Sequence, residues 1–576
     1  LQAPRSLRSA ARAAAPLIAF LAGAGALSAQ APSVSYGAEL ERLASATVSP
    51  SGAAWAIDLT MLADNADASL PSSFRRWWAC TISGWNSASA QTFNLRVLNA
   101  GYTDVILPVW RLRSVGSASF GPWQRVPLSA LPTVSGSTHR FTLPVPAGTS
   151  ALQLAKFFPF GVSDKDAWLA QVQANAGPRL RRVQNLGASL LGRAIELLEV
   201  SDPATPDRFK RRAWIHSGIH PSESTSYFAV QGLLEFLLSS DSRARVLLAD
   251  AIVDVVPMAN PDGVFLGNYR TNAASINLEE QWAAPYGSAV PEIVALRTAI
   301  EQRMGTPASP GANPIEVLLN LHSSHNVTYP FHFRHSANAS FDLVANRSGV
   351  IPSVNALETR WIDALRARSP FASLGTTQSS SCGSPTRPFV ECMCHDRWTI
   401  QPGWPAPVMA ITLEGTYARG PVGTSWSTPD DYRQLGREMG LALVDHLGLL
   451  PGLFAEPQTS GCVGSPSLNA RAFGPSLSRS IELRSAGLTP GGLGALVLGN
   501  TPLGLTLPPF GCTLDRVPDL SFAVVADAQG EVRLAFPYPP LPAFTLDAQL
   551  LHLRDLAGSP AFFTSPLQRL HLVPAY

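Results

Sequence analysis

The stretch Ala213-Trp-Ile-His-Ser-Gly-Ile-His-Pro-Ser-Glu223 constrains this chain more than any other. An apolar run of strand length meets a glycine turn, and His220 and Glu223 then stand three positions apart at the mouth of a helix. The helix is read from Tyr227, Val230, Leu234 and Leu237, whose spacing places them on one face. A strand turning directly into a helix is the repeating step of an α/β sheet, which takes up ligands beyond the carboxyl ends of its strands. One imidazole and one carboxylate so placed can hold a metal ion together, and zinc suits nitrogen and oxygen donors of this kind. A zinc site that performs chemistry needs three protein ligands and one open position, so a third ligand is sought elsewhere.

Two further apolar runs end in suitable groups. Ile315-Glu-Val-Leu-Leu-Asn-Leu-His322 closes on a histidine, and Val408-Met-Ala-Ile-Thr-Leu-Glu414 closes on a carboxylate. Between the first run and these lie Asn260-Pro-Asp-Gly-Val264, Gly267-Asn-Tyr-Arg270 and Ile276-Asn-Leu-Glu-Glu-Gln-Trp282. In this order the landmarks resemble the zinc metallocarboxypeptidases, and within them the cytosolic-carboxypeptidase-like branch, over roughly residues 155 to 450. The resemblance implies a mixed-sheet α/β catalytic domain with one zinc ion held by His220, Glu223 and His322. It makes Glu414 the general base, which takes a proton from the attacking water and passes it to the leaving amine. It makes Arg270 the cation that steadies the developing oxyanion. The implied substrate is a peptide or protein. His216, His325, His332 and His335 are further histidines near the set, without an assigned role.

The chain departs from the family where the substrate's end is gripped. Members show Asp-x-Asn-Arg after the oxyanion arginine: the Asp steadies a zinc histidine, and the Asn and Arg clamp the terminal carboxylate. Here the register fixed by Gln281-Trp282 reads Asn277-Leu278-Glu279-Glu280. Asn277 still accepts a hydrogen bond from a zinc histidine, though it leaves that ligand less basic. A guanidinium is the usual grip on a carboxylate, and Glu280 in its place repels one. Glu279 and Glu280 are therefore expected to meet either a cationic group or a neutral, blocked end. The mobile tyrosine of digestive members is also missing: the stretch before the base holds Cys392, Cys394 and Trp398, and Tyr417 is the nearest tyrosine. The leading reading is a zinc-dependent hydrolase with atypical end recognition. A zinc-loaded, catalytically weak binding protein and an amidohydrolase of small N-acyl compounds are the alternatives.

At 576 residues the chain is too long for one core. With 15% charged residues and a net charge of +2, it carries no field that would select nucleic acid. Residues 1–31 read as a secretory signal: Arg5, Arg8 and Arg12 precede an apolar run that ends near Ala29-Gln-Ala31. A secreted or periplasmic location follows from that reading. No stretch further on reaches membrane-spanning length. Residues 45–158 read as a β-sandwich with Trp77, Trp78 and Trp85 in its core, and 159–450 as the α/β domain. Helices are expected over 290–304, 354–368 and 430–447. Residues 451–576 read as an all-β module, with strands at 496–507 and 532–538, that either contacts a surface or only stabilises the chain. Six cysteines in an exported chain permit disulfides. Cys462 with Cys512 is the first expected pair, since both follow glycine in one module, and Cys382 with Cys392 or Cys394 is the second. Cys392-Met-Cys394-His395 is a weaker candidate for a metal.

Overall fold

A computed structural model describes residues 30–325, 329–334, 350–379, 382, 387–508, 510–539, 542–556 and 559–575. Residues 1–29 of the expected signal, and His335, lie outside the described residues.

The architecture is α/β at the centre with β-rich regions on both sides. The central sheet has eight strands: β1 (Leu180–Ala188), β2 (Ala194–Val200), β3 (Arg211–Ser217), β4 (Ala251–Val256), β5 (Ile315–Ser324), β6 (Phe331–Arg334), β7 (Thr377–Ser379) and β8 (Met409–Thr416). Their spatial order is β1-β2-β4-β3-β5-β8-β6-β7. The four middle strands β4, β3, β5 and β8 run parallel, while β2 and β6 join them antiparallel. From β3 the chain passes through α1 (Ser224–Leu238) and α2 (Ser242–Asp250) to β4, then crosses to the other side of β3 to enter β5. That reversal opens a crevice at the carboxyl ends of β3, β5 and β8. These strands are apolar almost throughout because both faces of the sheet are covered. Before β5 comes α3 (Pro291–Met304), and before β7 comes α4 (Pro352–Arg368). Against one face of the sheet pack α1 and α5 (Pro429–His446); the second starts at a Thr428–Asp431 capping box, in which each residue's side chain accepts from the other's backbone N–H.

The N-terminal module starts earlier than residue 45, with a strand at Ser33–Ser35, and consists of two five-stranded sheets ending at Ala155. Trp77, Trp78 and Trp85 are buried inside it. Its core is continuous with that beneath α1 and α5, so no apolar boundary separates it from the α/β domain. The C-terminal strands enclose a second core, around Ala470, Leu483, Leu496 and Leu550, while two of their residues, Phe454 and Val573, belong to the first. The stretch expected as one strand over 496–507 is two, Leu493–Leu498 and Pro502–Leu507, because Gly499-Asn-Thr501 breaks the run. Disulfides join Cys382 to Cys392 and Cys462 to Cys512, while Cys80 and Cys394 are free and buried. Among the described residues, no helix is long and apolar enough to cross a membrane.

Candidate metal centre and active-site cleft

His220 and Glu223 lie in the turn after β3, with Glu223 at the N-cap of α1; His322 is near the end of β5. The three are buried, and their ligand atoms all lie within 4.8 Å of one another. The Nδ1 atoms of His220 and His322 are 3.0 Å apart, and each is 2.9 Å from one Glu223 oxygen. Ser323 N–H donates to Glu223 Oε2 at 2.8 Å and fixes the carboxylate. Behind the ligands, His220 Nε2 is 3.0 Å from Asn277 Oδ1, which can only accept, so the proton is on Nε2 and the Nδ1 lone pair faces its two neighbours. His322 Nε2 is 3.3 Å from Glu279 Oε2. Both imidazoles are thus held from the outside with their Nδ1 atoms converging, the arrangement that a zinc ion with two His and one carboxylate requires. Burial would raise the Glu223 pKa, but the two imidazoles pull it well below the usual carboxylate range. Burial, with Arg270 nearby, lowers His220 to about 4. Against burial, Glu279 and Glu223 hold His322 well above an ordinary histidine. The residues present fit zinc.

Glu414 is set beside this centre by strand register. In the parallel β5–β8 pairing, His322 and Glu414 are direct partners. Burial, reinforced by the Glu223 charge, raises the Glu414 pKa far above that of an ordinary carboxylate. Both groups line a cavity of about 500 Å³, together with His220, Glu223, Arg270, Glu279 and Glu280. The sequence-predicted residues are therefore brought together, except Asn277, which stands behind His220.

Two of them are placed differently from the sequence reading. Glu279 lines the cavity, but its Oε1 accepts from Asn320 at 3.0 Å and its Oε2 faces His322, so it supports a ligand as well as bordering the substrate space. Glu280 is exposed at the rim, and its Oε1 accepts from Asn277 Nδ2 at 2.9 Å. That bond orients the Asn277 amide so that its oxygen faces His220. Tyr417 packs instead against Phe157 and His325, with ring centroids 5.0 and 4.8 Å away. His216 is a buried acceptor for Trp214 Nε1, 3.1 Å away, and His332 is buried on β6. Cys392 is spent in a disulfide and His395 is 2.8 Å from Asp396, so no metal-ligand set forms there among the described residues.

Several residues of the cleft escaped the sequence reading. Asn320 and Thr412 stand two positions before His322 and Glu414 on strands whose side chains alternate, and a polar residue in so apolar a run was the available signal. Glu391, from a short helix (Val390–Cys394), is buried in the cavity wall and accepts from Thr412 Oγ1 at 2.6 Å. The N-terminal module supplies Ser73, Phe74 and Arg76 to the same cavity. It also holds the loop that carries Arg270. Asp64 accepts from the backbone N–H groups of Tyr269, Arg270 and Thr271 at 2.7, 2.8 and 2.8 Å. Asn65 exchanges hydrogen bonds with Asn268 at 3.2 and 2.9 Å. At Gly267, with φ +68°, a Cβ would lie 2.8 Å from Leu40 O, so only glycine lets the module sit this close.

A family model described as zinc carboxypeptidase matches residues 166–386. Cytosolic carboxypeptidase 6 of Caenorhabditis elegans is 30% identical over 222 residues, which is 36% of this chain and 46% of that protein. Human cytosolic carboxypeptidase 2 is 30% identical over 166 residues, 28% of this chain and 18% of that protein. The chain thus spans less than half the length of these curated relatives. A metallo-carboxypeptidase structure from Burkholderia cenocepacia superposes with a TM-score of 0.56 at 22% identity, covering 72% of this chain and 99% of that one. A metallo-carboxypeptidase from Pseudomonas aeruginosa gives 0.53 at 22% identity, covering 72% and 98%. These two likenesses are of fold.

Proposed function

We propose that this chain, whose residues 166–386 match a zinc carboxypeptidase model, hydrolyses an amide bond near the end of a peptide, and that the end it accepts is cationic or blocked. One observation supports the hydrolytic reading above the rest: the converging His220, Glu223 and His322 atoms share one cavity with Glu414 and Arg270. His220, Glu223 and His322 would hold the zinc ion, which when bound would supply Lewis-acid chemistry toward the scissile carbonyl and the attacking water. Glu414, with its raised affinity for a proton, takes the proton released as water attacks and delivers it to the departing amine. Arg270 faces the charge that develops on the carbonyl oxygen. Its guanidinium is backed by the ring of Phe74, 5.6 Å away. The intact Glu414 and Arg270 favour this over a zinc-loaded scaffold that only binds.

End selection follows from the acidic groups. Glu280 at the rim, Glu391 in the wall and Glu279 line the same cavity. A free carboxylate entering there meets like charge, whereas an arginine or lysine side chain meets complementary charge. The expected site of action is outside the cytoplasm, on the reading of residues 1–31 as an export signal. The test is hydrolysis by zinc-loaded protein of peptides ending in Arg, Ala or Glu, each as free acid and amide, with Glu414→Gln as control. Cleavage of the Arg-ended and amidated members, lost in the control, is expected. Preferred release of Ala or Glu from free acids would refute the acidic-pocket reading.

A further inference from the structure

His325 is a cavity-lining histidine for which the mechanism above has no use. It is 6% exposed and packed among the rings of Tyr102, Tyr269 and Tyr417, at centroid distances of 5.6, 5.7 and 4.8 Å. Its Nε2 is hydrogen-bonded to Lys156 Nζ, which reaches in from the end of the N-terminal module. Lys156 is itself buried. It donates to Arg76 O at 2.7 Å and lies over the faces of Tyr417 and Tyr102, 4.4 and 5.3 Å from their centroids. A carbonyl and two ring faces are all electron-rich, and they favour a nitrogen that presents hydrogens on every side. Burial pulls the Lys156 pKa well below that of an ordinary lysine, but charged or neutral the amine has a hydrogen for His325 Nε2 beside the one it gives Arg76 O, and a donating Lys156 places the ring proton on Nδ1. Burial, with Lys156 and Arg76 close by, keeps the ring neutral. Nδ1 is buried and has no hydrogen-bond partner among the described residues.

A buried N–H without a partner is costly, and this one belongs to a residue that borders the space a substrate enters. We propose that His325 is a substrate-binding residue whose Nδ1–H donates to a main-chain carbonyl of the bound peptide, and that Lys156 is the positioning residue that fixes its tautomer. A neutral donor suits a carbonyl, which a peptide of any sequence offers. The inference rests on the reading of this cleft as a peptide site.

The tautomer is measured first, by nitrogen NMR of histidine-labelled, zinc-loaded protein, with the His325 signal assigned by its loss in His325→Asn. A protonated Nδ1 is expected, giving way to a mixture in Lys156→Met. A protonated Nε2 in the wild type would overturn the proposal. Binding of N-acetyl-Ala-Ala-Ala-Arg is then measured by calorimetry in a Glu414→Gln background. His325→Ala is expected to weaken it about tenfold. His325→Asn, whose amide N–H falls near the Nδ1 position, is expected to recover most of the loss. Equal affinity with and without His325, or no advantage of Asn over Ala, overturns the inference. Absence of cleavage by the wild type, with the affinity differences intact, overturns the hydrolase reading alone. Absence of binding overturns both.

Discussion

The two β-rich regions that flank the catalytic domain are joined to it in different ways. The N-terminal module shares one continuous apolar core with α1 and α5, sends Asp64 and Asn65 under the Arg270 loop, and places Phe74 and Arg76 in the cavity wall. The C-terminal module has a core of its own and meets the α/β domain both through Phe454 and Val573, which join that domain's apolar core, and through polar contacts. These include Arg245 with Glu456 at 2.6 Å, Arg479 with Asp250 at 3.0 Å, and Ser476 Oγ donating to Gly448 O at 3.0 Å. Among the described residues, none from the C-terminal module lines the active-site cavity. Two modules of the same class thus differ in kind: one completes the site, the other is attached to the domain that carries it.

Truncation should expose the contrast most strongly. Removal of the N-terminal module through residue 155 is expected to leave an insoluble or unfolded catalytic domain, because a large part of a shared core is lost. Removal of residues 458–576 is expected to leave zinc content and kcat/KM within about twofold, since most of that module's core is separate and none of its described residues lines the cavity. Comparable loss of activity in the two truncations would break the comparison. A smaller change isolates the reach of the N-terminal module into the site. Asp64→Asn replaces an acceptor of three backbone N–H groups with an amide that must turn one donor toward them. We expect kcat to fall about tenfold or more, with zinc stoichiometry unchanged. In an Arg270→Ala background the same substitution should cost little further, because Asp64 acts through that arginine's loop. Losses that multiply instead would make Asp64 a general support of the fold.

The contrast was only partly legible in the sequence. Strand-end positions were, because an apolar run closed by His or Glu marks its own place in a sheet: His220, Glu223, His322 and Glu414 all lie where that pattern puts them. The α/β core was legible too, and the helices expected over 290–304, 354–368 and 430–447 are found at 291–304, 352–368 and 429–446. What the sequence hid were contacts across long separations. Asp64 lies 205 residues before the first backbone N–H it holds, and Lys156 is 169 residues from His325; each is unremarkable among its neighbours in the chain. Glu391 sits in a five-residue helix with no period to read. Glu279 shows a subtler limit: charge reasoning placed it toward the substrate, while the fold also turns it onto His322.

The smallest expected effect concerns the attachment of the C-terminal module. Asp250, the last residue of α2, pairs with Arg479, yet burial outweighs that partner and raises its pKa to about 6. A carboxyl whose pKa is higher in the folded state than in the unfolded chain stabilises the fold while it is protonated. Its contribution is full below the unfolded value and disappears as pH rises through about 6. Relative to Asp250→Asn, which cannot ionise, the wild type should therefore lose about 2 kcal/mol of unfolding free energy between pH 4 and pH 7. Urea titrations of both proteins at several pH values measure the difference. The two should show parallel pH profiles of hydrolysis, because this pair lies at the attachment and away from the cavity. A divergence in activity would mean that the C-terminal module does reach the active site, whereas parallel profiles with the predicted stability difference would confine its influence to the fold.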